Sequence, residues 1–278
     1  ILAAAFRLPL SAKVQILMRC LVTGARGQIG SELVVALRAK YGTDAVLSSD
    51  VREFEDPTDA QGPFQLLDCT DPEALEEAVI RHNPDTIFHL AAILSAVGEA
   101  NPQRAYDINV GTLLNVLEVA RRHDCSVFTP SSIAAFGPTT PADPTPQDTI
   151  QRPTTMYGVT KVAGELLCDY YRLRYAVDVR GVRYPGLISH RTAPGGGTTD
   201  YAVDIFHHAI KEGKYTCFLS GDTQLDMMYM PDAIRAAIEV MEADPKRLEH
   251  WNAFNVAAMQ FTPEVLCAEI QKHIPHFE

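Results

Sequence analysis

Tyr157 and Lys161 stand four residues apart where a helical pattern opens, so both side chains lie on one face. A lysine ammonium beside a phenol ring stabilises the phenolate, and a phenolate is a general base for an alcohol proton as hydride leaves. Tyr-x-x-x-Lys by itself is common. Here it follows two further signals: adjacent hydroxyls, Ser131-Ser132, at the end of an apolar run, and a turn with glycines at 24, 27 and 30. A short apolar strand at 20–22 precedes that turn and a helix opened by 31–38 follows it. Gly24 permits the tight turn, Gly27 lets the backbone approach a pyrophosphate, and Gly30 lets the helix pack on the strand. The amides of Gln28, Ile29 and Gly30 then face the phosphates. Residues 46–50 end in Asp50, twenty positions past Gly30, where a ribose hydroxyl is read. Together these features point to a bound dinucleotide and to redox chemistry on an alcohol.

The elements that must position these residues alternate between strand and helix. Residues 64–67 read as a short strand, and Pro72 with Glu73 opens a helix whose apolar face holds Leu75, Ala78 and Val79. Asp68, between the two, either reaches towards an adenine or caps the helix as a solvated carboxylate. Residues 86–92 read as a fourth strand, where Leu90, Ala91 and Ala92 offer bare backbone to a flat cofactor. Ser95 just beyond is a candidate contact for a small polar substrate, and His89 inside the run reads as a satisfied core histidine. A helix over 101–123 carries Asn109, which either faces solvent or turns inward to hold a water or backbone beside the lysine. Residues 126–132 read as a fifth strand, 137–153 as a proline-rich loop over the site, 154–175 as the Tyr157 helix and 177–184 as a sixth strand. Tyr184, Pro185, Gly186, Leu187 and Ile188 leave backbone groups for a nicotinamide amide. In 194–201, a glycine-rich loop entering a helix, Thr198 and Thr199 either receive a substrate carboxylate beside free amides or form a simple capped loop. Short strands are expected within 215–230 and 251–256, and helices over 231–243 and 262–273.

The pattern is that of an α/β chain: a Rossmann-type doubly wound parallel sheet with a smaller C-terminal substrate lobe. The NAD-binding domain with the catalytic residues is placed at 19–184 and the lobe mainly at 185–278. A net charge of −11 argues against a nucleic-acid or anionic-membrane partner. No apolar stretch reaches the roughly 18 residues of a membrane span. Six scattered cysteines without C-x-x-C spacing read as reduced, mostly buried thiols. His207 and His208 are adjacent, so they cannot share a helix face as a metal pair, and no metal is expected. Residues 1–18 hold no acid, and carry Arg7, Lys13 and Ser11. They read as a remnant of a transit peptide, which leans the location towards the mitochondrion, or as a plain tail on a cytoplasmic protein.

The glycine turn, Asp50, Ser132 and the Tyr157/Lys161 pair together resemble the extended short-chain dehydrogenase/reductases. Within that group Leu94-Ser-Ala-Val-Gly-Glu-Ala100, Ser131-Ser-Ile-Ala-Ala-Phe-Gly-Pro138, Tyr184-Pro-Gly-Leu-Ile-Ser189 and Met227-Met-Tyr-Met-Pro-Asp232 are similar to the short-chain-type L-threonine 3-dehydrogenases. The resemblance implies NAD-dependent oxidation of the L-threonine hydroxyl to 2-amino-3-ketobutyrate, in a homodimer with surfaces on 101–123 and 154–175. It makes Tyr157 the base, Lys161 its electrostatic partner and Ser132 the hydroxyl that orients the alcohol. It implies NAD over its phosphorylated form, because Asp50 would repel a 2′-phosphate. Ser95, Gly186, Thr198 and Thr199 would meet the substrate. Relatives of this kind continue for several dozen residues past His276-Phe-Glu278, so the lobe is expected to be incomplete at its C-terminus. Two alternatives stand beside this one. A sugar-nucleotide epimerase or dehydratase of the same fold would recycle a tightly held NAD, and a non-catalytic NAD sensor would not need Ser132, Tyr157 and Lys161 together.

Overall fold

Neighbouring side chains on the central strands are apolar in both directions, a pattern suited to a sheet covered on both faces. In β1 (Cys20–Thr23), Cys20 and Val22 enter one buried cluster and Leu21 the other. The computed structural model describes residues 18–54, 60–191 and 195–278. Around β1 it gathers β2 (Val46–Asp50), β3 (Phe64–Leu66), β4 (Thr86–His89) and β5 (Ser126–Phe128). Past a two-residue strand that leaves this sheet, β6 (Ser131–Ser132), comes its last member, β7 (Val179–Arg180). The six strands are parallel in the order β3-β2-β1-β4-β5-β7, the doubly wound arrangement expected of the sequence.

The helices are α1 (Gln28–Tyr41), α2 (Pro72–His82), α3 (Ser95–Ala100), α4 (Pro102–His123), α5 (Met156–Tyr175), α6 (Tyr201–Lys211), α7 (Met230–Glu242) and α8 (Pro263–Gln271). On one face of the sheet Leu33 and Leu37 of α1 pack with Ala233 and Ala237 of α7, above Val22, Phe88 and Phe128. On the other, Leu75 of α2, Leu117 of α4 and Cys168 of α5 cover Leu21, Ile87 and Val127. Leu117 is fully buried, so truncation to alanine would cost about 2–5 kcal/mol. Helix ends follow the sequence signals. Asp71 accepts from Glu73 N and Ala74 N ahead of Pro72, and Asn83 and Asp124 close α2 and α4 in the left-handed conformation.

Several expectations change. Residues 126–132 are not one strand: Thr129-Pro130 breaks the run, since proline brings no amide to a ladder. Residues 177–184 likewise divide at Gly181 into β7 and β8 (Val182–Tyr184). At Gly181 a Cβ would lie 2.1 Å from Thr129 O, so backbone meets backbone where both strands bend. Beyond the bend, β8 pairs with β6 and with β11 (Phe254–Asn255) in a second small sheet. A third sheet joins β9 (Gly186–Ile188), β10 (Leu225–Tyr229) and β12 (Met259–Phe261). The strand β4 stops at His89, three residues short of 92, and α3 and β12 are additional to the elements expected. The lobe core, with Tyr201, Ala202, Met227, Leu266 and Ile270, is separate, but α7 and β11 return to the first layer. The leader assigned to 1–18 lies outside the described residues up to 17, while Met18 packs in the core with Cys20.

His89 is 4 % exposed between β1 and α4. The Thr112 hydroxyl donates to Ile108 O at 2.7 Å, so it accepts from His89 Nε2 at 3.2 Å, and His89 Nδ1 accepts from the Thr23 hydroxyl at 2.8 Å. The neutral ring is therefore satisfied. Burial first, and the Lys161 charge second, push its pKa down to about 3. The unfolded ring titrates near 6.5, so between these values only the unfolded chain binds the proton. The contribution of His89 to stability is full above about pH 6.5 and is lost as pH drops towards 3. Thermal unfolding followed between about pH 7 and pH 4 should show this loss, with a shallower slope in a His89→Gln variant.

Candidate active site

The cofactor end is built first by close backbone contacts. Gly24 has φ +67°, and a Cβ there would lie 2.7 Å from Ala91 N. A Cβ on Gly30 would lie 2.3 Å from Gly24 O, whereas at Gly27 the nearest atom is 3.2 Å away. The first turn of α1 has no side-chain cap and no acid, which leaves its amides for an anion. Gln28 Nε2 is buried without a protein partner, as a donor waiting for an acceptor would be. Asp50 is 5 % exposed at the end of β2. Its Oδ2 accepts from Arg26 N at 2.9 Å, and its Oδ1 from Arg52 N at 3.1 Å and Arg52 Nε at 3.2 Å. This donor and acceptor set fits a dinucleotide whose pyrophosphate meets α1 and whose ribose meets Asp50.

Other cofactor candidates turn out differently. Asp68 Oδ1 accepts from Thr70 N at 2.9 Å and from Thr70 Oγ1 at 2.8 Å, so that oxygen holds its own turn. Asn109 turns inward, accepting from Ile93 N at 2.7 Å and donating to Ile93 O at 3.0 Å and Thr160 Oγ1 at 3.2 Å. Both amide hydrogens are spent, so Asn109 ties the loop after β4 to α5 rather than offering a donor to a ligand. Leu90, Ala91 and Ala92 lie on that loop, against a small cavity that also touches Lys161. The Tyr184 hydroxyl donates to Ala233 O at 2.6 Å and its ring packs in the core, so that hydroxyl is spent, while the residue also lines the cleft. Burial pushes that phenol's pKa up. Ile188 packs on the lobe core.

The catalytic end is a cleft of about 390 Å³. Ser132, Tyr157 and Lys161 share it with Gln28 and Ile29, with Pro185, Gly186 and Leu187, and with Ser95, Thr198 and Thr199. Lys161 Nζ lies 5.3 Å from the Tyr157 ring centroid and donates to Pro130 O at 2.8 Å, leaving two hydrogens free. Ser132 Oγ accepts from Ala134 N at 3.1 Å, which leaves its proton to donate. Thr155 caps α5 by accepting from Gly158 N at 3.1 Å, and Glu99 of α3 accepts from Met156 N at 2.6 Å. The glycine loop is held by a residue the sequence did not single out. Asp200 Oδ2 accepts from Gly196 N at 2.8 Å and Gly197 N at 2.6 Å, and Gly196 O accepts from Ala96 N at 3.1 Å. Those two amides are thus occupied by an internal carboxylate, and Thr198, Thr199 and Asp200 of this loop line the cleft. Pro194 lies outside the described residues. At Gly186 a Cβ would meet Met227 Sδ at 2.3 Å and Thr199 Cβ at 2.7 Å, so the strand and the threonine loop touch there.

Behind the cleft lies a polar cluster unforeseen from the sequence. Glu165 of α5 pairs with Arg183 of β8, both with side chains 7 % exposed. Arg183 Nε reaches Glu165 Oε1 at 2.9 Å and Nη2 reaches Oε2 at 2.7 Å. Ser131 Oγ also donates to Oε1, and Gln151 Nε2 to Oε2 at 2.7 Å. The four-residue step from Lys161 to Glu165 was the signal available for one partner.

Residues 20–257 match the NAD-dependent epimerase/dehydratase family. A Staphylococcus haemolyticus protein named an uncharacterized epimerase/dehydratase is 55 % identical over 260 residues, 93 % of this chain and 82 % of that protein. The crystal structure of an L-threonine dehydrogenase from Clostridium difficile is 52 % identical with a TM-score of 0.91, covering 94 % of this chain and 82 % of that one. A monomeric L-threonine 3-dehydrogenase from a metagenome is 48 % identical with a TM-score of 0.88, covering 92 % and 82 %. On the extent of the family match and of these identities, the chain belongs to the NAD-dependent epimerase/dehydratase family.

Proposed function

We propose that this chain is an NAD-dependent L-threonine 3-dehydrogenase, oxidising the side-chain hydroxyl to 2-amino-3-ketobutyrate. The observation that carries the reading is the meeting of Ser132, Tyr157 and Lys161 with Thr198 and Thr199 in one cleft. Solved relatives that bear the dehydrogenase name match nearly the whole chain. NAD, when bound, supplies the hydride acceptor. The residues do the rest. The uncapped turn of α1 and Gln28 hold the pyrophosphate, and Asp50 holds the adenosine ribose and disfavours a 2′-phosphate. Ser132 donates to the substrate oxygen and orients it. Tyr157, as phenolate, takes the hydroxyl proton, and the Lys161 ammonium stabilises the phenolate before that transfer. Ser95, Gly186, Thr198 and Thr199 meet the amino acid's polar end. The domain division at 184/185 belongs to the same proposal: the cofactor end is drawn from the first part and the threonine loop from the second.

A sugar nucleotide would bring a second diphosphate, but Lys161 is the single cation among the described residues lining the cleft. That weighs against the epimerase alternative. The sensor alternative leaves the three catalytic side chains without a use. Among the described residues no helix is long and apolar enough to cross a membrane. The mitochondrial lean rests on the acid-free leader alone, and the Staphylococcus relatives give it no support. The homodimer is proposed on apolar side chains left outside on α4 and α5, with Tyr106 44 %, Leu166 62 % and Leu173 87 % exposed. The monomeric relative makes that assembly a property to measure.

Purified chain given NAD and L-threonine should develop the NADH absorbance band. Tyr157→Phe should lower turnover by about 10³-fold or more while binding NADH as the parent does. No NADH from the parent would overturn the proposal. Sedimentation of the parent should give a dimer that Leu173→Glu converts to monomer; a monomeric parent would remove the dimer reading.

A further inference from the structure

Tyr157, Lys161 and Glu165 recur at four-residue steps on α5, so one helix face carries the base, its ammonium partner and a buried carboxylate. That face meets the segment 130–134 at three points. Near the N-terminus Gly158 lies so close that a Cβ would be 2.2 Å from Ala134 O. One turn on, Lys161 Nζ donates to Pro130 O at 2.8 Å. One turn further, Glu165 accepts from Ser131 Oγ. Ser132, the hydroxyl proposed to orient the alcohol, sits inside this stitched segment.

Glu165 reaches further than Ser131. Its two oxygens take four donors from three segments: Ser131, Gln151 of the long loop before α5, and Arg183 twice. Arg183 in turn donates from Nη1 to Gln147 O and to Asn255 Oδ1, each at 2.9 Å. Arg183 also precedes Tyr184, Pro185 and Gly186, which run along the cleft. A carboxylate has about four acceptor sites, so this one is fully used and has one geometry that satisfies it. A helix, a catalytic strand end, the loop over the site and the cofactor-side strand therefore share one buried ion pair.

We propose that Glu165 and Arg183 are positioning residues of the dehydrogenase reaction. They set the distance between Ser132 and Tyr157 by fixing Ser131 to α5, and so control turnover more than ligand affinity. The inference rests on the dehydrogenase reading above. The binding groups proposed for the pyrophosphate and ribose are on α1 and β2, outside this network. Misplacing reacting groups by about 1 Å costs on the order of 100-fold in rate.

Two variants test it, each measured for kcat, KM for L-threonine, NADH affinity by fluorescence, and Tm. Glu165→Gln removes the charge and one acceptor, and should lower kcat about 100-fold with NADH affinity and KM within about threefold of the parent. Ser131→Ala removes one of the three ties between the segment and α5 and leaves the ion pair whole. It should lower kcat about tenfold with NADH affinity unchanged. Should Glu165→Gln fail to fold, Ser131→Ala decides alone. Parent-like kcat in a folded Ser131→Ala, or a kcat loss matched by an equal loss of NADH affinity, overturns the positioning role. A parent that makes no NADH overturns the dehydrogenase reading, and the inference with it; an active parent beside unaffected variants overturns the inference only.

Discussion

The register of α5 against the segment 130–134 is the constraint on which the rest of the molecule depends. Backbone contact at Gly158, a lysine on a carbonyl at Pro130 and a carboxylate on a hydroxyl at Ser131 hold two elements from different layers at fixed offset. None of these contacts tolerates a slip of one helical residue, because a rotation of about 100° would carry Gly158 and the Lys161 and Glu165 side chains off the face. The pair Glu165 and Arg183 makes this register expensive to lose. Separating two buried, fully bonded charges strands one of them, at a cost of several kcal/mol.

The two ends of the cleft handle charge in opposite ways. At α1 the helix start is left bare, with no acid in its first turn and an orphaned Gln28 amide, so anion-binding capacity is kept for a ligand in a chain of net charge −11. In the loop before α6 the capacity is consumed. Asp200 turns back on Gly196 and Gly197, which makes a glycine-rich segment a defined wall, with Thr198, Thr199 and Asp200 itself lining the cleft. A phosphate and an amino-acid carboxylate both favour amide donors, so neutralising one set of amides internally gives the two ends different selectivity.

The bends at Pro130 and Gly181 convert a flat reading into the working shape. Had 126–132 and 177–184 continued as strands of the six-stranded sheet, Ser132 and Tyr184 would stay in its plane. Instead β6 and β8 leave together and pair beyond the carboxyl edge, register Ser132 with Tyr184. Ser132 is then carried by a small sheet outside the main one, with the helix that holds Tyr157 packed beside it.

By itself the sequence determined the strand-helix alternation, the doubly wound parallel class and the glycine turn, and it singled out Ser132, Tyr157 and Lys161. These are local properties, read from a period of two or 3.6 residues and from the few residue types a tight turn or helix start admits. His89 was also legible as core, because a lone imidazole inside an apolar run must be neutral and bonded. Only the tertiary structure decided the rest. Whether Asn109 meets Ile93 and Thr160, whether the Tyr184 hydroxyl is spent on Ala233, and whether Glu165 finds Arg183 are questions of pairs 16 to 51 residues apart. A polar side chain has the same appearance in sequence whether it faces a ligand or a distant carbonyl. Its partner is chosen by the packing of layers, and burial then forces every donor to be counted.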